Sequence, residues 1–243
     1  MGRTQVTFNG HNLTDLFYVS DLQDALLPRE IGSAKAGGRN GEIFTGVTLS
    51  ARTIAMVLTV KGDTIDQVQD AGRELAAILA VDEPKRLELS IDGGIYYMAL
   101  PSSPDVGKRF RHSRRHDVVF HALDPVAFGA EHAATVPSGG SVTVNVGGTY
   151  PTMPVVSATA ARNGPGGYWR IRKEDGTYLL ATVPSGVDTA AVVADCEART
   201  LKVNGVVSLL DPEASWLELE PGRHTLTMTG TGAATVTWRE RWV

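Results

Sequence analysis

Asn145-Val146-Gly147-Gly148-Thr149-Tyr150-Pro151-Thr152-Met153-Pro154 divides the chain into two unlike halves. Pro151 and Pro154 lack the N–H that a central strand needs, so neither sits inside a sheet ladder. Gly147-Gly148 supplies the freedom of a turn just upstream. The stretch therefore reads as the end of a strand (Ser141 to Val146), a turn, and an extended lead into a β-rich module. Downstream, short strand patterns recur to the C-terminus: Val155 to Ala160, Tyr168 to Arg172, Tyr178 to Val183, Ala190 to Asp195, Thr200 to Val203, Trp216 to Leu219, His224 to Met228 and Thr235 to Trp242. Turn signals such as Asp175-Gly176, Asn204-Gly205 and Pro221-Gly222 separate them. Short strands at this spacing predict a sandwich or jelly roll.

Upstream, the pattern is mixed. Thr4 to Phe8 reads as a strand that Leu16 to Val19 can partner, and Arg52 to Val60 alternates strictly, with Ile54, Met56, Leu58 and Val60 on one face. Thr64 and Gln67 then form a capping box, and Ile65, Val68, Gly72, Leu75, Ile78 and Leu79 trace one apolar stripe at helical spacing. The expected helix covers 64–81, and Pro84 prevents its continuation. Leu87 to Ile91 and Ile95 to Leu100 flank Asp92-Gly93-Gly94 as a hairpin. Asp117 to Leu123 alternates, and Asp124-Pro125 ends it. Ala127 to Val136 reads as a small-residue link, which gives domains 1–134 and 135–243.

Residues 28–46 form a long, Gly-punctuated excursion, read as a loop or hairpin tip. Gly37-Gly38-Arg39-Asn40-Gly41 has neither the following helix nor the Lys-Ser/Thr pair of a phosphate loop. A long arm in a compact domain is uncommon unless it has a use. Here the expected use is contact with a neighbouring subunit through Arg29, Lys35, Arg39 and Asn40. The one strong charge run, Lys108 to His116, offers Lys108, Arg109, Arg111, Arg114 and Arg115 as a partner-binding face; the alternative is an edge strand kept from aggregating by its charge. His112, His116 and His121 invite a metal reading, but two residues four apart in a strand stand about 13 Å apart, too far to share an ion.

Bulk properties narrow the function classes. With 243 residues the chain can bury a sizeable core. A net charge of -4 argues against a dedicated nucleic-acid binder. The single cysteine, Cys196, excludes an intramolecular disulfide and a thiolate metal cluster. There is no apolar signal core and no window of about 18 apolar residues, so folding in a cytoplasm and no membrane insertion are expected. No nucleophile elbow, zincin helix or P-loop occurs. The expectation is accordingly no enzyme, no cofactor and no metal. All four tryptophans, Trp169, Trp216, Trp238 and Trp242, lie in the second half. A second functional reading follows from them: a carbohydrate-binding sandwich that contacts host surface glycans, with Trp169 and Trp216 as stacking platforms.

The order of several motifs resembles the distal tail protein family of long-tailed, non-contractile phages. They are Phe8-Asn9-Gly10; Gly38-Arg39-Asn40-Gly41; the Ile54 to Val60 strand with the helix from Thr64; Asp117 to Leu123 with Asp124-Pro125; Val146 to Pro154; Asp195 to Asn204-Gly205; and Leu219-Glu220-Pro221-Gly222-Arg223-His224 before a last strand ending in Trp238 and Trp242. The resemblance covers essentially the whole chain. It implies a mainly β fold: an N-terminal split-barrel-like domain with one α-helix, and a C-terminal galectin-like or jelly-roll sandwich, with a last strand that in some members returns to the first domain. It also implies a structural virion protein at the tail tip, assembled in the bacterial host cytoplasm. That protein forms a homo-oligomeric ring, a hexamer, between the tail tube protein and the tail-tip, tail-fibre and receptor-binding proteins, with no specific nucleic-acid binding.

Overall fold

The computed structural model describes residues 4–24, 28–102, 109–110, 113–162 and 167–243. The chain is mainly β, and it divides into two compact units: Met1–Phe128 with Val243, and Gly129–Trp242.

The first unit contains β1 (Val6–Phe8), β2 (His11–Asn12), β3 (Phe17–Asp24), β4 (Arg29–Ala34), β5 (Ile43–Leu49), β6 (Arg52–Val60), α1 (Ile65–Leu79), β7 (Lys85–Leu89), β8 (Tyr96–Ser102), β9 (Arg109–Phe110) and β10 (Ser113–Ala122). Its main sheet runs β2-β1-β7-β8-β10-β6-β3, all antiparallel. β1 pairs with β2 and β7, while β3, which contains the expected partner of β1, pairs with β6 instead. The strict alternation of β6 is the organising pattern. Ile54 opposes Phe120, Met56 opposes Val118 and Val60 opposes Phe17, so these side chains share one buried face. α1 lies against β6 and β10 and buries Val68, Ala71, Leu75 and Ile78. Its capping box is complete: the Gln67 N–H donates to Thr64 Oγ1, and Gln67 Oε1 accepts from the Thr64 N–H. Phe8 closes this core against Phe120, with ring centroids 4.9 Å apart. β4 and β5 stand outside the main sheet as a separate two-stranded ribbon.

The second unit is a sandwich of β11 (Ala127–Val136), β12 (Ser141–Val146), β13 (Val155–Ala161), β14 (Tyr168–Lys173), β15 (Tyr178–Thr182), β16 (Thr189–Asp195), β17 (Thr200–Val203), β18 (Val206–Ser208), β19 (Gly222–Thr229) and β20 (Ala234–Trp242). One sheet runs β18-β17-β16-β13-β20-β11, the other β12-β19-β14-β15. Alternate residues of both fill one core, among them Val144, Val156, Trp169, Ile171, Leu179, Val192, Leu226 and Val236. β11, read from sequence as a link, is a ten-residue strand. Conversely, the Trp216 to Leu219 segment forms only an isolated bridge, Leu219 to Thr152. The stretch that divides the sequence docks on the last strand: the N–H groups of Thr149 and Tyr150 donate to the Arg241 carbonyl at 2.9 and 3.1 Å.

Candidate functional site

The most distinctive surface is the β4–β5 ribbon, which we term the arm. Pairing of Arg29 with Leu49, Ile31 with Val47 and Ser33 with Phe44 places Ile31, Phe44, Val47 and Leu49 along one face, across a bulge at Gly32/Ser33. The arm leaves this row in water: Ile31 is 69% exposed, Phe44 66% and Val47 47%. Gly38 and Gly41 take positive φ angles (78° and 87°) that let the tip reverse. Lys35 at the tip pairs loosely with Glu42 at 3.9 Å, and Glu42 also accepts from the Ser33 hydroxyl. Arg29, Lys35, Arg39 and Asn40 are all exposed. The sequence reading named only polar residues of this stretch and did not anticipate its exposed apolar row. The signal was the β-branched and aromatic composition of Ile43–Leu49.

The root of the arm is held by a charge network. Arg52 is buried where β6 begins, and its Nε donates to the Asp24 carboxylate at 2.8 Å where β3 ends. Arg52 Nη1 also donates to the Tyr97 hydroxyl at 2.8 Å and to the Pro125 carbonyl at 3.3 Å. Just above the network, the Ser50 N–H donates to the Pro28 carbonyl at 3.0 Å. Burial pushes the Tyr97 hydroxyl up to about 12. Burial, then the charge of Asp24, holds the Asp92 carboxyl above its ordinary range, against the pull of Arg52. This network is positioned for anchoring. Each partner is locked to the arm's two ends or to the sheet.

The basic run is not assembled into one face by its described members. Lys108 and Arg111 lie outside the described residues, and Arg109 is described only as part of β9. Arg114 and Arg115 alternate to opposite faces of β10. Arg115 is neutralised on the outer face by Asp117 at 3.2 Å and Asp21 at 3.6 Å. Arg114 turns inward under α1, where its guanidinium occupies the space left by Gly72. His116 is buried beside it, and burial followed by the Arg114 charge pushes its imidazole below the usual range. His112 lies outside the described residues, and His121 meets Thr53 Oγ1 at 3.4 Å. Among the described residues no group of three His, Cys, Asp or Glu side chains is placed to hold a metal ion.

The glycan-stacking reading needs correction at Trp169. This side chain is fully buried in the sandwich core and presents no ring to a sugar. Trp216 is half-buried against the same core. Alternation of β14 drives Trp169 inward with Ile171. Cys196 is likewise core, its thiol pushed up to about 12 by burial.

Residues 12–114 match a family described as a phage tail protein RIFT-related domain, and residues 147–242 match the C-terminal domain of the siphovirus-type tail component. Among solved structures, the Dit (gp 19.1) protein of phage SPP1 superposes with a TM-score of 0.81 at 20% identity, over 99% of both chains. The chain belongs to the distal tail protein family of long-tailed, non-contractile phages. The SPP1 relative is described as a paradigm of hub adsorption apparatus in phages infecting Gram-positive bacteria. A chain of the phage P2 baseplate in its activated, calcium-bound conformation superposes with a TM-score of 0.51 at 10% identity, over 99% of this chain and 98% of that one. No curated protein matches the chain by sequence. As a distal tail protein, the chain is a structural component of the virion tail, and its mainly β fold is the family's.

Proposed function

We propose that this distal tail protein forms a closed six-fold ring that joins the tail tube to the tip and receptor-binding proteins, with no enzymatic role. The observation that carries the reading is the apolar row of the arm. A free two-stranded ribbon is marginally stable in water by itself. Burying a large aliphatic or aromatic side chain is worth about 1.5–3 kcal/mol, so Ile31, Phe44 and Val47 on one face favour a protein partner. A partner of the same kind on every subunit, contacted heterologously, closes a ring. The contacts to the tube, tip and fibre proteins rest on family membership.

The test is the mass of the full-length chain in solution, paired with electron micrographs of the same sample. Rings of wild-type protein that revert to folded monomers on Phe44→Asp support the reading. Rings unaffected by Phe44→Asp remove the arm from the contact. Protein that is monomeric both alone and when mixed with its tube and tip proteins removes the ring.

A further inference from the structure

The first unit also carries a groove of about 710 Å³ between α1 and the β3–β6 edge. Its lining is mainly polar and acidic, with Asp63, Gln67, Asp70 and Glu74, around a smaller apolar patch of Leu16, Tyr18, Val60 and Ala71. The one cation of the groove, Lys61, is already used: its ammonium donates to the Thr14 carbonyl and lies 4.8 Å from the centre of the Tyr18 ring. Asp70 is shared with Arg73 at 2.8 Å. Asp63 and Glu74 are exposed and form no ion pair among the described residues. The groove thus offers a small apolar patch beside unspent negative charge.

The arm has the complementary character. Ile31, Phe44 and Val47 form its apolar row, and Arg29, Lys35 and Arg39 outnumber Glu30 and Glu42. Arg39 is exposed at the tip and forms no side-chain ion pair among the described residues, while its main-chain N–H donates to the Ala36 carbonyl at 3.4 Å. The paired strands of the ribbon span roughly 20 Å at the rise of a β-strand, and the turn at residues 35–42 extends it further. We propose that the arm of one copy docks in the α1–β3 groove of the next copy, with Phe44 over the Tyr18–Ala71 patch and Arg39 paired with Glu74. This assignment rests on the ring reading above and gives that contact its receiving surface.

The chemistry of the chain makes the test clean, because its single cysteine is buried in the second unit. Full-length protein carrying Arg39→Cys and Glu74→Cys together is oxidised and run on non-reducing gels, while sedimentation of the wild type reads assembly independently. A ladder of covalent multimers from the double variant, with no more than dimers from either single variant, is the expected result. A wild type that forms rings while the double variant gives no ladder overturns the groove assignment and leaves the ring standing. A wild type that stays monomeric both alone and when mixed with its tube and tip proteins, with no ladder in either condition, overturns both. A charge-reversal cycle supplies a readout without cysteine. Arg39→Glu and Glu74→Arg each weaken association about tenfold, and the double reversal recovers most of the loss. Additive losses in the double reversal reject the pairing.

Discussion

Gly148 lies so close to Arg241 that a Cβ would overlap the arginine's carbonyl oxygen. Its φ of 97° is also one that side chains resist. The two hydrogen bonds from Thr149 and Tyr150 to that same oxygen depend on this approach. Gly148→Ala is therefore expected to cost about 2–4 kcal/mol, combining backbone strain with displaced hydrogen bonds. Gly147→Ala is the control. Its Cβ meets the movable carboxylate end of Glu240 rather than backbone, so its cost is expected to be smaller. Urea unfolding of the two variants checks the order, and a Gly147→Ala loss equal to or above that of Gly148→Ala contradicts it.

The Arg52 network makes two predictions of opposite sign. Arg52→Met leaves Asp24 without its cation and Tyr97 without its donor, and is expected to destabilise the first unit by about 3 kcal/mol. Asp92→Asn is expected to stabilise at neutral pH. Because the folded carboxyl is held above its ordinary 3.8, its ionisation costs nothing below that value, and the cost grows as pH rises through the folded value. The gain from Asp92→Asn should thus be present at pH 7 and fade as pH falls toward 3.8. Denaturant midpoints at both ends of that range decide it.

Much of the fold was legible because local and tertiary signals agreed. The capping box of Thr64 and Gln67, the alternation of Arg52 to Val60, and the turns that separate β14 from β15 and β17 from β18 each state one answer. The losses have physical reasons. The arm is exposed on both faces, so its strands carry no alternation of buried and polar residues to read. β11 is poor in large apolar side chains, and a run of small residues looks like a linker in sequence. The charge run hid its own division: the period of two separates Arg114 from Arg115, but only the packing of α1 shows which face is inner. Trp169 was readable as either core or platform until its neighbours were known. The root network joins residues 24, 52, 97 and 125, a separation that no local pattern reports.

His116 gives the first unit a pH dependence of its own. Its folded imidazole is held below 6.5, chiefly by burial and then by Arg114, with Asp117 opposing. The neutral ring therefore contributes stability that is fully present above 6.5 and is lost as pH falls toward the folded value. Wild-type protein is expected to weaken as pH falls below 6.5, and His116→Leu to remove that component of the slope. Unfolding midpoints measured from above 6.5 downward test it, and an unchanged slope in His116→Leu rejects the assignment.

Gly72 and Arg114 form the last testable pair, because their coupling explains a glycine in the middle of a helix. Glycine there costs about 1 kcal/mol relative to alanine, so Gly72→Ala alone would ordinarily stabilise α1. In this fold a Cβ at position 72 would stand 2.9 Å from Arg114 Nη1, so the guanidinium must move. Arg114 Nε is buried without a hydrogen-bond partner, and displacing its head group forces a second rearrangement beside the buried His116. The two effects should nearly cancel in the wild-type background. In an Arg114→Ala background the clash is gone, and Gly72→Ala is expected to recover about 0.5–1 kcal/mol. The double-mutant cycle isolates the difference. If Gly72→Ala has the same effect in both backgrounds, the arginine does not hold the position, and the glycine is there for some reason other than this contact.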